Sequence, residues 1–328
     1  MGSNIKKIGV LTSGGDAPGM NAAIRAVVRS CAYHKIACVG IYRGYEGLIE
    51  GDFEDLDARS VKNIINRGGT FLKSARSKGF FTKEGRQESY NNLKKEGVDA
   101  LVVIGGDGTF TGAIVFNDEH NFPIVGIPGT IDNDINGTDF TIGYDTALNT
   151  VVEAIDKIRD TAISHNRLFL VEVMGRDAGD IALNAGIGAG AEEILIPELN
   201  MGRERLVESL KKSKKSGKSS SIVVVSEGDQ IGKNIFELAA YIEEHLDGYE
   251  VRVSVLGHIQ RGGAPSCYDR VLASRMGVAA VDALLNNERD IMIASVQRHM
   301  THVPFSAVLE GDNKIDKELI RVADIISV

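Results

Sequence analysis

Two glycine-rich loops that carry aspartates offer the clearest chemistry in the sequence. The first is IGGDGT, from Ile104 to Thr109, and the second is PGTIDND, from Pro128 to Asp134. Glycine lets the backbone approach phosphate oxygens closely, and carboxylates bind the magnesium that accompanies nucleotide phosphates. Together the two loops predict a phosphoryl-transfer site.

In the first loop, Asp107 stands between two glycines, so its side chain can reach a magnesium ion while bare backbone lies beside the phosphates. Gly108 leaves room for the α-phosphate of ATP, because a carboxylate at this position would repel that phosphate. For this loop taken alone, a turn with a solvated aspartate is the alternative.

In the second loop, Asp132 and Asp134 lie two residues apart. An extended segment would place both carboxylates on one side, with Ile131 on the other. A carboxylate beside a metal-bound phosphate can accept the proton of an attacking hydroxyl. The alternative is a turn stabilised by Asp and Asn side chains, and the agreement of two separate loops weighs against it.

A third loop, TSGGDAPGMN from Thr12 to Asn21, precedes a helix predicted over residues 20–31. The amides of Gly14 and Gly15, close to a helix start, can cradle a phosphate. A tight turn between strand and helix explains the loop equally well. Other nucleotide motifs fail, since Lys212 stands where a Walker A loop needs glycine and IGGDGT lacks the third glycine of GxGxxG.

Short β-branched runs alternate with amphipathic helical stretches, which is typical of a parallel sheet covered on both faces. Because both acidic loops follow buried runs, we expect them at the carboxyl edge of such a sheet, where ligands bind. Helical spacing from Leu148 to Ile158 predicts a helix that connects two lobes. The predicted strands, enough for two sheets, are Ile8 to Leu11, Ala37 to Tyr42, Ala100 to Ile104, Ile124 to Ile127, Leu168 to Val173, Ile194 to Ile196, Ile222 to Ser226 and Arg252 to Leu256.

The composition is that of a soluble globular protein with a sizeable core: 328 residues, 43% hydrophobic and 25% charged. The net charge of -8 argues against general binding to nucleic acid or anionic membranes, so local arginine clusters must hold any anionic ligand. Three cysteines without metal spacing predict free thiols in a reducing cytosol. No apolar stretch approaches the length of a membrane span, and we therefore expect a cytoplasmic protein.

Six segments, read together, resemble the bacterial ATP-dependent 6-phosphofructokinases in the same order over essentially the whole chain. They are TSGGDAPGMN, NRGGTFLKSAR, IGGDGT, PGTIDND, VEVMGR and GHIQRGG. The resemblance implies a homotetramer that transfers the γ-phosphoryl of Mg-ATP to the C1 hydroxyl of fructose 6-phosphate, the committed step of glycolysis. It implies an α/β fold of two similar three-layer α/β/α lobes with largely parallel sheets. The larger, ATP-binding lobe would hold residues 1–143 plus about 259–304, and the smaller, fructose 6-phosphate-binding lobe about 144–258 plus 305–328.

The resemblance also implies roles for matching residues. The ATP positions are Gly15, Arg76, Ser77, Gly106, Asp107, Gly108 and Thr109, with Asp107 at the magnesium position and Ser77 in place of a common aromatic residue. Asp132 matches the catalytic base, and Thr130, Arg76 and Arg176 match the other catalytic positions. The sugar-phosphate positions are Thr130, Ile131, Asp132, Arg167, Met174, Gly175, Arg176, Glu227, Arg252, His258, Ile259, Gln260 and Arg261, of which Arg167 and Arg252 reach a neighbouring subunit's site in the family.

The family's allosteric nucleotide site would use Arg25, Arg29, Arg159, Gly190, Glu192 and Lys218. Arg25 and Arg29 share a helix face, which suits a phosphate clamp but also a solvated basic stripe. The chain departs from the family in the segment from Ala58 to Asn63. The family usually has an arginine and an aromatic residue there, whereas this chain has Ala58 and Arg59, and Asn63 replaces an acid. The response to ADP or phosphoenolpyruvate therefore stays open, as does cooperativity.

Three alternatives are weighed against this interpretation. Pyrophosphate-dependent relatives typically carry Asp at the position of Gly108 and Lys at that of Gly129, so both glycines favour ATP. NAD or lipid kinases share a GGDGT loop but lack PGTIDND and GHIQRGG. A nucleotide-sensing subunit without turnover would require the loss of Asp107, Asp132 or Arg76, and all three are present.

Overall fold

The computed structural model describes residues 5–165, 167–199, 201–215, 221–247, 250–311 and 315–326. The chain divides into two compact units. The first unit comprises Met1–Ile131, Ile135–Thr146 and Arg261–Asp312, and the second comprises Asp132–Asp134, Ala147–Gln260 and Asn313–Val328.

The elements follow one another in chain order. The strands are β1 (Lys7–Thr12), β2 (Ala37–Ile41), β3 (Phe53–Leu56), β4 (Ala100–Gly105), β5 (Ile124–Thr130), β6 (Ile142–Gly143), β7 (Arg167–Val173), β8 (Glu193–Leu195), β9 (Ser221–Ser226), β10 (Glu250–Val255), β11 (Ile291–Val296) and β12 (His299–Pro304). The helices are α1 (Met20–Tyr33), α2 (Tyr45–Glu50), α3 (Lys83–Glu96), α4 (Asp107–His120), α5 (Tyr144–His165), α6 (Asp180–Gly188), α7 (Arg203–Lys215), α8 (Ile235–His245), α9 (Cys267–Leu285), α10 (Phe305–Glu310) and α11 (Lys317–Ile326). Short 3₁₀ turns span Gly79–Phe81 and Gly257–Arg261.

The first unit contains an eight-stranded sheet in the order β12-β11-β5-β4-β1-β2-β3, with β6 paired to β5. Strands β11, β5, β4, β1 and β2 run parallel, and β3 and β12 are antiparallel at the two edges. The carboxyl ends of β1, β4 and β5 therefore lie at one edge of this sheet. The loops IGGDGT and PGTIDND lie at that edge, as the sequence predicts, and the loop TSGGDAPGMN begins there too.

The second unit contains a four-stranded parallel sheet in the order β10-β7-β9-β8. All eight predicted strands are present, and the α/β fold with largely parallel sheets and helices on both sides is confirmed. Strands β3, β6, β11 and β12 were not predicted. Strands β3 and β12 lie at sheet edges and mix polar with apolar residues, so they lack the continuous apolar run of a buried strand.

Aromatic rings form much of the core of the first unit. Tyr45 stacks on Phe80 with ring centroids 4.0 Å apart, and Phe110 stacks on Phe305 at 5.4 Å. Because Phe305 is the first residue of α10, this contact attaches that helix to the first unit. The unit accordingly extends to Asp312, beyond the boundary predicted near residue 304.

A buried carboxylate on α9 caps the start of α5. Asp269 accepts hydrogen bonds from the backbone N–H of Gly143 at 2.9 Å and of Thr146 at 2.8 Å, and from the Thr146 hydroxyl. Burial raises the pKa of Asp269 to about 6 although these donors favour the ionised form. The helix predicted from Leu148 to Ile158 thus begins at Tyr144, where Asp269 supplies the acceptor its first turn needs.

Two remaining expectations concern the cysteines and the membrane. Cys31 and Cys38 are buried and Cys267 is exposed, and all three are free thiols, as the sequence predicts. Throughout the described ranges, each helix is too short or too polar to cross a bilayer.

Candidate active site

The loop after β1 brings a predicted nucleotide residue and a predicted sugar-phosphate residue together. Gly14 has a φ of +82°, a conformation that favours glycine. A Cβ built on Gly15 would lie 2.5 Å from Nη2 of Arg261, so a larger residue would displace this guanidinium from its place over the backbone. Arg261 therefore adds a positive charge to the loop TSGGDAPGMN.

The loop IGGDGT leads directly from β4 into α4, which begins at Asp107. Gly106 provides no side-chain cap to this helix, so its first turn begins with bare glycine backbone on either side of Asp107. Around Gly108, no atom of the described residues lies within 4 Å of a built Cβ. The Thr109 hydroxyl is buried and has no hydrogen-bond partner within the described part of the chain. Bare backbone, a helix start and a hydroxyl without a partner suit the oxygens of a polyphosphate.

Of the two glycines that favour ATP, the structure singles out Gly108. A Cβ on Gly129 would lie 3.1 Å from both Ile104 Cγ2 and Met20 Cε, so packing alone favours glycine there. No such crowding surrounds Gly108 within the described residues. The absence of a side chain at Gly108 is therefore the more informative signal about the phosphoryl donor.

The loop PGTIDND turns sharply rather than extending. Asn133 has a φ of +54°, a left-handed conformation that asparagine tolerates better than most residues. The expectation that an extended segment places both aspartates on one side is therefore wrong. Both carboxylates nevertheless face one guanidinium, since Arg176 Nε lies 3.4 Å from Asp132 Oδ2 and Nη1 lies 3.9 Å from Asp134 Oδ2. Asp132 itself is buried, with 3% of its surface exposed.

Arg176 is fixed by its backbone as well as by this pair of carboxylates. Its φ is +52°, and its N–H donates to Glu227 Oε1 at 2.9 Å. A Cβ on Gly228 would lie 1.9 Å from the carbonyl oxygen of Arg176, so glycine is required at that contact. The structure thus brings three predicted residues, Asp132, Arg176 and Glu227, into one cluster within the second unit.

Two acidic residues that the sequence did not single out adjoin this cluster. Asp180 is the first residue of α6 and hydrogen-bonds the Asn133 side chain. Burial, followed by the charge of Glu198, raises the pKa of Asp180 to about 6. Glu198 Oε1 also accepts the N–H of Gly179 at 2.8 Å. An aspartate at a helix start was the only sequence signal, and many helices share it.

Arg167 and Arg252 lie on neighbouring strands and share a carboxylate that was not predicted. Glu250 on β10 pairs with Arg167 on β7, and Arg167 Nε lies 2.6 Å from Glu250 Oε2. Arg252 contacts the other oxygen of Glu250. The two arginines predicted to bind a sugar phosphate therefore lie together at the edge of the second sheet.

Other sugar-phosphate positions lie directly after β7 or within the second 3₁₀ turn. The Met174 N–H donates to Oε1 of the buried Gln260 at 3.2 Å, and Gly175 has a φ of +140°. His258 and Ile259 are exposed. Elsewhere, Thr130 ends β5 and Ile131 is buried.

The two other predicted ATP positions precede the first 3₁₀ turn. Arg76 is exposed, and Ser77 Oγ accepts the Phe80 N–H at 3.2 Å. The serine that replaces a common aromatic residue thus starts the turn that holds Phe80 in the core.

The predicted effector residues fall into two described groups. Arg25 and Arg29 line a surface groove of about 470 Å³ on the first unit, and burial followed by the charge of Arg29 lowers the pKa of Arg25. In the second unit, Arg159 Nη2 donates to the carbonyl oxygens of Ala189 and Gly190, and Nη1 lies 3.9 Å from Glu192 Oε1. Lys218 lies outside the described residues. Asn63 has a φ of +58°, which favours asparagine over an acid with a longer side chain.

Comparisons with known proteins agree over almost the whole chain. The family profile described as Phosphofructokinase matches residues 7–284. The chain is 52% identical over 324 residues to ATP-dependent 6-phosphofructokinase 2 of Bacteroides thetaiotaomicron, covering 99% of both chains. It is likewise 52% identical to ATP-dependent 6-phosphofructokinase 1 of Thermus thermophilus, covering 99% of this chain and 100% of that one.

Among solved structures, phosphofructokinase from Saccharomyces cerevisiae superposes with a TM-score of 0.87 at 37% identity. The match covers 98% of this chain, which spans 46% of the yeast chain's length. A pyrophosphate-dependent phosphofructokinase from Marinobacter aquaeolei has a TM-score of 0.84 at 23% identity and shares the fold.

Proposed function

Because this chain belongs to the phosphofructokinase family, we propose that it transfers the γ-phosphoryl group of ATP to the C1 hydroxyl of fructose 6-phosphate. The observation that carries the proposal is the 52% identity, over 99% of the chain, to relatives named ATP-dependent 6-phosphofructokinase. The open space around Gly108 supports ATP rather than pyrophosphate as the donor.

The cluster around Arg176 supports a division of labour in this reaction. Asp132 is the group proposed to accept the proton of the C1 hydroxyl. A loose phosphoryl-transfer transition state acidifies that proton only as the new bond forms, so a weak base suffices. Arg176, close to Asp132, provides positive charge that offsets the charge of the migrating group and of the carboxylates.

Residues of the first unit are proposed to hold the nucleotide. The amides at the start of α4, the Thr109 hydroxyl and the guanidinium of Arg261 beside Gly15 would bind phosphate oxygens. Magnesium that arrives with ATP would neutralise phosphate charge, and Asp107 is the carboxylate proposed to bind it. Magnesium in such sites keeps water and phosphate ligands and needs only one or two carboxylates.

The assembly and its regulation are also part of the proposal. We propose a cytoplasmic homotetramer in which Arg167 and Arg252 reach the sugar phosphate bound by a neighbouring subunit. Their shared contact with Glu250 at the edge of the second sheet supports a joint role. Arg25, Arg29, Arg159, Gly190, Glu192 and Lys218 are proposed to bind an effector nucleotide.

The test compares two phosphoryl donors. Purified protein is mixed with fructose 6-phosphate and magnesium, together with ATP in one reaction and pyrophosphate in the other. We expect fructose 1,6-bisphosphate and ADP from the first reaction and no sugar bisphosphate from the second. Turnover with pyrophosphate but not with ATP would contradict the proposal. The absence of turnover with both donors would contradict it as well.

A further inference from the structure

We propose that Asp180 is a positioning residue for phosphoryl transfer, which fixes the Asp132–Asp134 loop through the side chain of Asn133. The inference rests on the proposed function, since it takes Asp132 as the proton acceptor. It assigns a role to a residue that does not itself contact the reacting atoms.

The backbone that carries Asp180 is anchored tightly. The residues that follow it in α6, Ile181, Ala182 and Leu183, are buried, and the helix packs against β8 and β9. Before it, a Cβ on Gly179 would lie 2.5 Å from Ile196 Cβ, and the Gly179 N–H is held by Glu198. The carboxyl group of Asp180 therefore extends from a fixed point of the second unit.

The loop that Asp180 contacts has an unfavourable backbone conformation at its centre. Asn133 is left-handed, and its neighbours Asp132 and Asp134 both turn towards Arg176. Left-handed conformations of residues other than glycine persist where the surroundings over-determine them. The hydrogen bond between the Asn133 side chain and Asp180 helps to hold the left-handed conformation, because it joins Asn133 to the anchored helix α6.

The charges around Asp180 make this contact sensitive to protonation. Glu198 and Asp134 face Asp180, and Arg176 lies beyond Asp134, 3.9 Å from its carboxylate. Burial is the largest cause that raises the pKa of Asp180 to about 6, while the Asn133 hydrogen bond acts in the opposite direction. Above that pH the carboxylate is ionised and accepts strongly from the Asn133 amide, and below it the neutral carboxyl group is a weaker acceptor.

The experiment compares Asp180→Ala and Asp180→Asn with a matched control, Asp177→Ala. Asp177 is exposed and precedes Asp180 by three residues, so the control removes a nearby surface charge. We expect Asp180→Ala to lower kcat by roughly tenfold to a hundredfold, the effect of a small misplacement of catalytic groups, with KM for fructose 6-phosphate little changed. Asp180→Asn keeps a neutral, weaker acceptor and should therefore lower kcat at neutral pH less than Asp180→Ala does.

The pH profile separates positioning from a general effect on folding. Wild-type kcat should fall towards the level of Asp180→Asn as the pH drops through about 6, and Asp180→Asn should lack this limb because its side chain does not titrate. Unchanged kcat in a folded Asp180→Ala variant would overturn the inference. If Asp180→Ala does not fold, persistence of the limb in Asp180→Asn would overturn it instead. A wild-type protein without turnover would refute the proposed function itself, and the inference with it.

Discussion

At the scale of single residues, the candidate chemistry depends on how one arginine is held among carboxylates. Arg176 has a left-handed backbone, donates its N–H to Glu227 and directs its guanidinium to Asp132 and Asp134. Arginine suits this place because its planar group offers several donors in a fixed arrangement. The buried Asp132 is thereby held beside positive charge, which suits the proton acceptor proposed for this position.

The first prediction concerns this carboxylate. Asp132→Asn keeps the size of the side chain but removes its basicity, so kcat should fall by roughly a hundredfold to ten-thousandfold. Binding of fructose 6-phosphate should change little, because the amide still fills the same space. Steady-state kinetics and a separate binding titration measure the two quantities, and an equal loss in both would refute the role as proton acceptor.

At the scale of elements, two helix starts have different tasks. The start of α4 is open, with bare backbone at Gly108 and no side-chain cap from Gly106. The start of α5 is closed, because Asp269 on α9 accepts hydrogen bonds from its first turn. A helix start that is already satisfied serves the fold, whereas one left open is available to a ligand.

The second prediction tests the open helix start. Gly108→Asp should fold normally, because no described atom crowds a Cβ at that position. The new carboxylate should repel the nucleotide and raise KM for ATP by roughly tenfold or more, the effect of about 1.4 kcal/mol. Kinetics and thermal melting are measured together, with Gly108→Ala as the uncharged control. An unchanged KM in the aspartate variant would remove Gly108 from the nucleotide site.

The third prediction tests the closed helix start. Asp269→Ala leaves two buried backbone N–H groups without their acceptor, and we expect the free energy of unfolding to fall by about 2 to 4 kcal/mol. Urea titration measures this loss. Asp282→Ala, an exposed position on the same helix, is the control and should change stability little.

The stability effect of Asp269 should also depend on pH. Its pKa is raised from 3.8 to about 6, so its ionised form lowers stability above pH 6, and this cost disappears as the pH falls towards 3.8. The stability difference between wild type and Asp269→Ala should therefore grow as the pH falls through this window. A difference that shrinks instead would show that hydrogen bonding, rather than burial, sets the pKa of Asp269.

At the scale of the whole molecule, the two units differ in size and in core. The first builds its core around stacked aromatic rings on an eight-stranded sheet, and the second packs aliphatic residues on four strands. The parallel strands end with the loops that carry the candidate residues, which is where ligands bind in such sheets. In the second unit, Arg167 and Arg252 at the sheet edge are the residues proposed to serve a neighbouring subunit.

The fourth prediction tests that sharing between subunits. Arg252→Ala alone should raise KM for fructose 6-phosphate by an amount that corresponds to about 1.5 to 3 kcal/mol. Co-expression with Asp132→Asn should then restore activity at low substrate, since mixed tetramers contain some sites with both residues intact. In the control, wild type is co-expressed with a double variant that carries both substitutions on one chain. If sites are shared, a site formed by one subunit of each kind then lacks one of the two residues. No recovery in mixed tetramers would place Arg252 in its own subunit's site.

Much of this arrangement was predictable because the decisive patterns are local. Eight strands followed from short β-branched runs, and IGGDGT and PGTIDND were recognisable from glycines and aspartates at fixed spacing. The edge strands β3 and β12 were not predicted, because their residues alternate irregularly between polar and apolar. The extended geometry expected for Asp132 to Asp134 was wrong, since the turn at Asn133 depends on contacts that are distant in sequence.

The sequence by itself determined the family, the α/β fold and the positions of the acidic loops, because these depend on short-range patterns of glycine, aspartate and buried runs. Tertiary structure alone decided which partners those residues meet. The pairing of Arg176 with two carboxylates, the contact of Asp180 with Asn133 and the sharing of Glu250 by two arginines each join segments distant along the chain. Such contacts arise from strand order and helix packing, and no local spacing of residues encodes them.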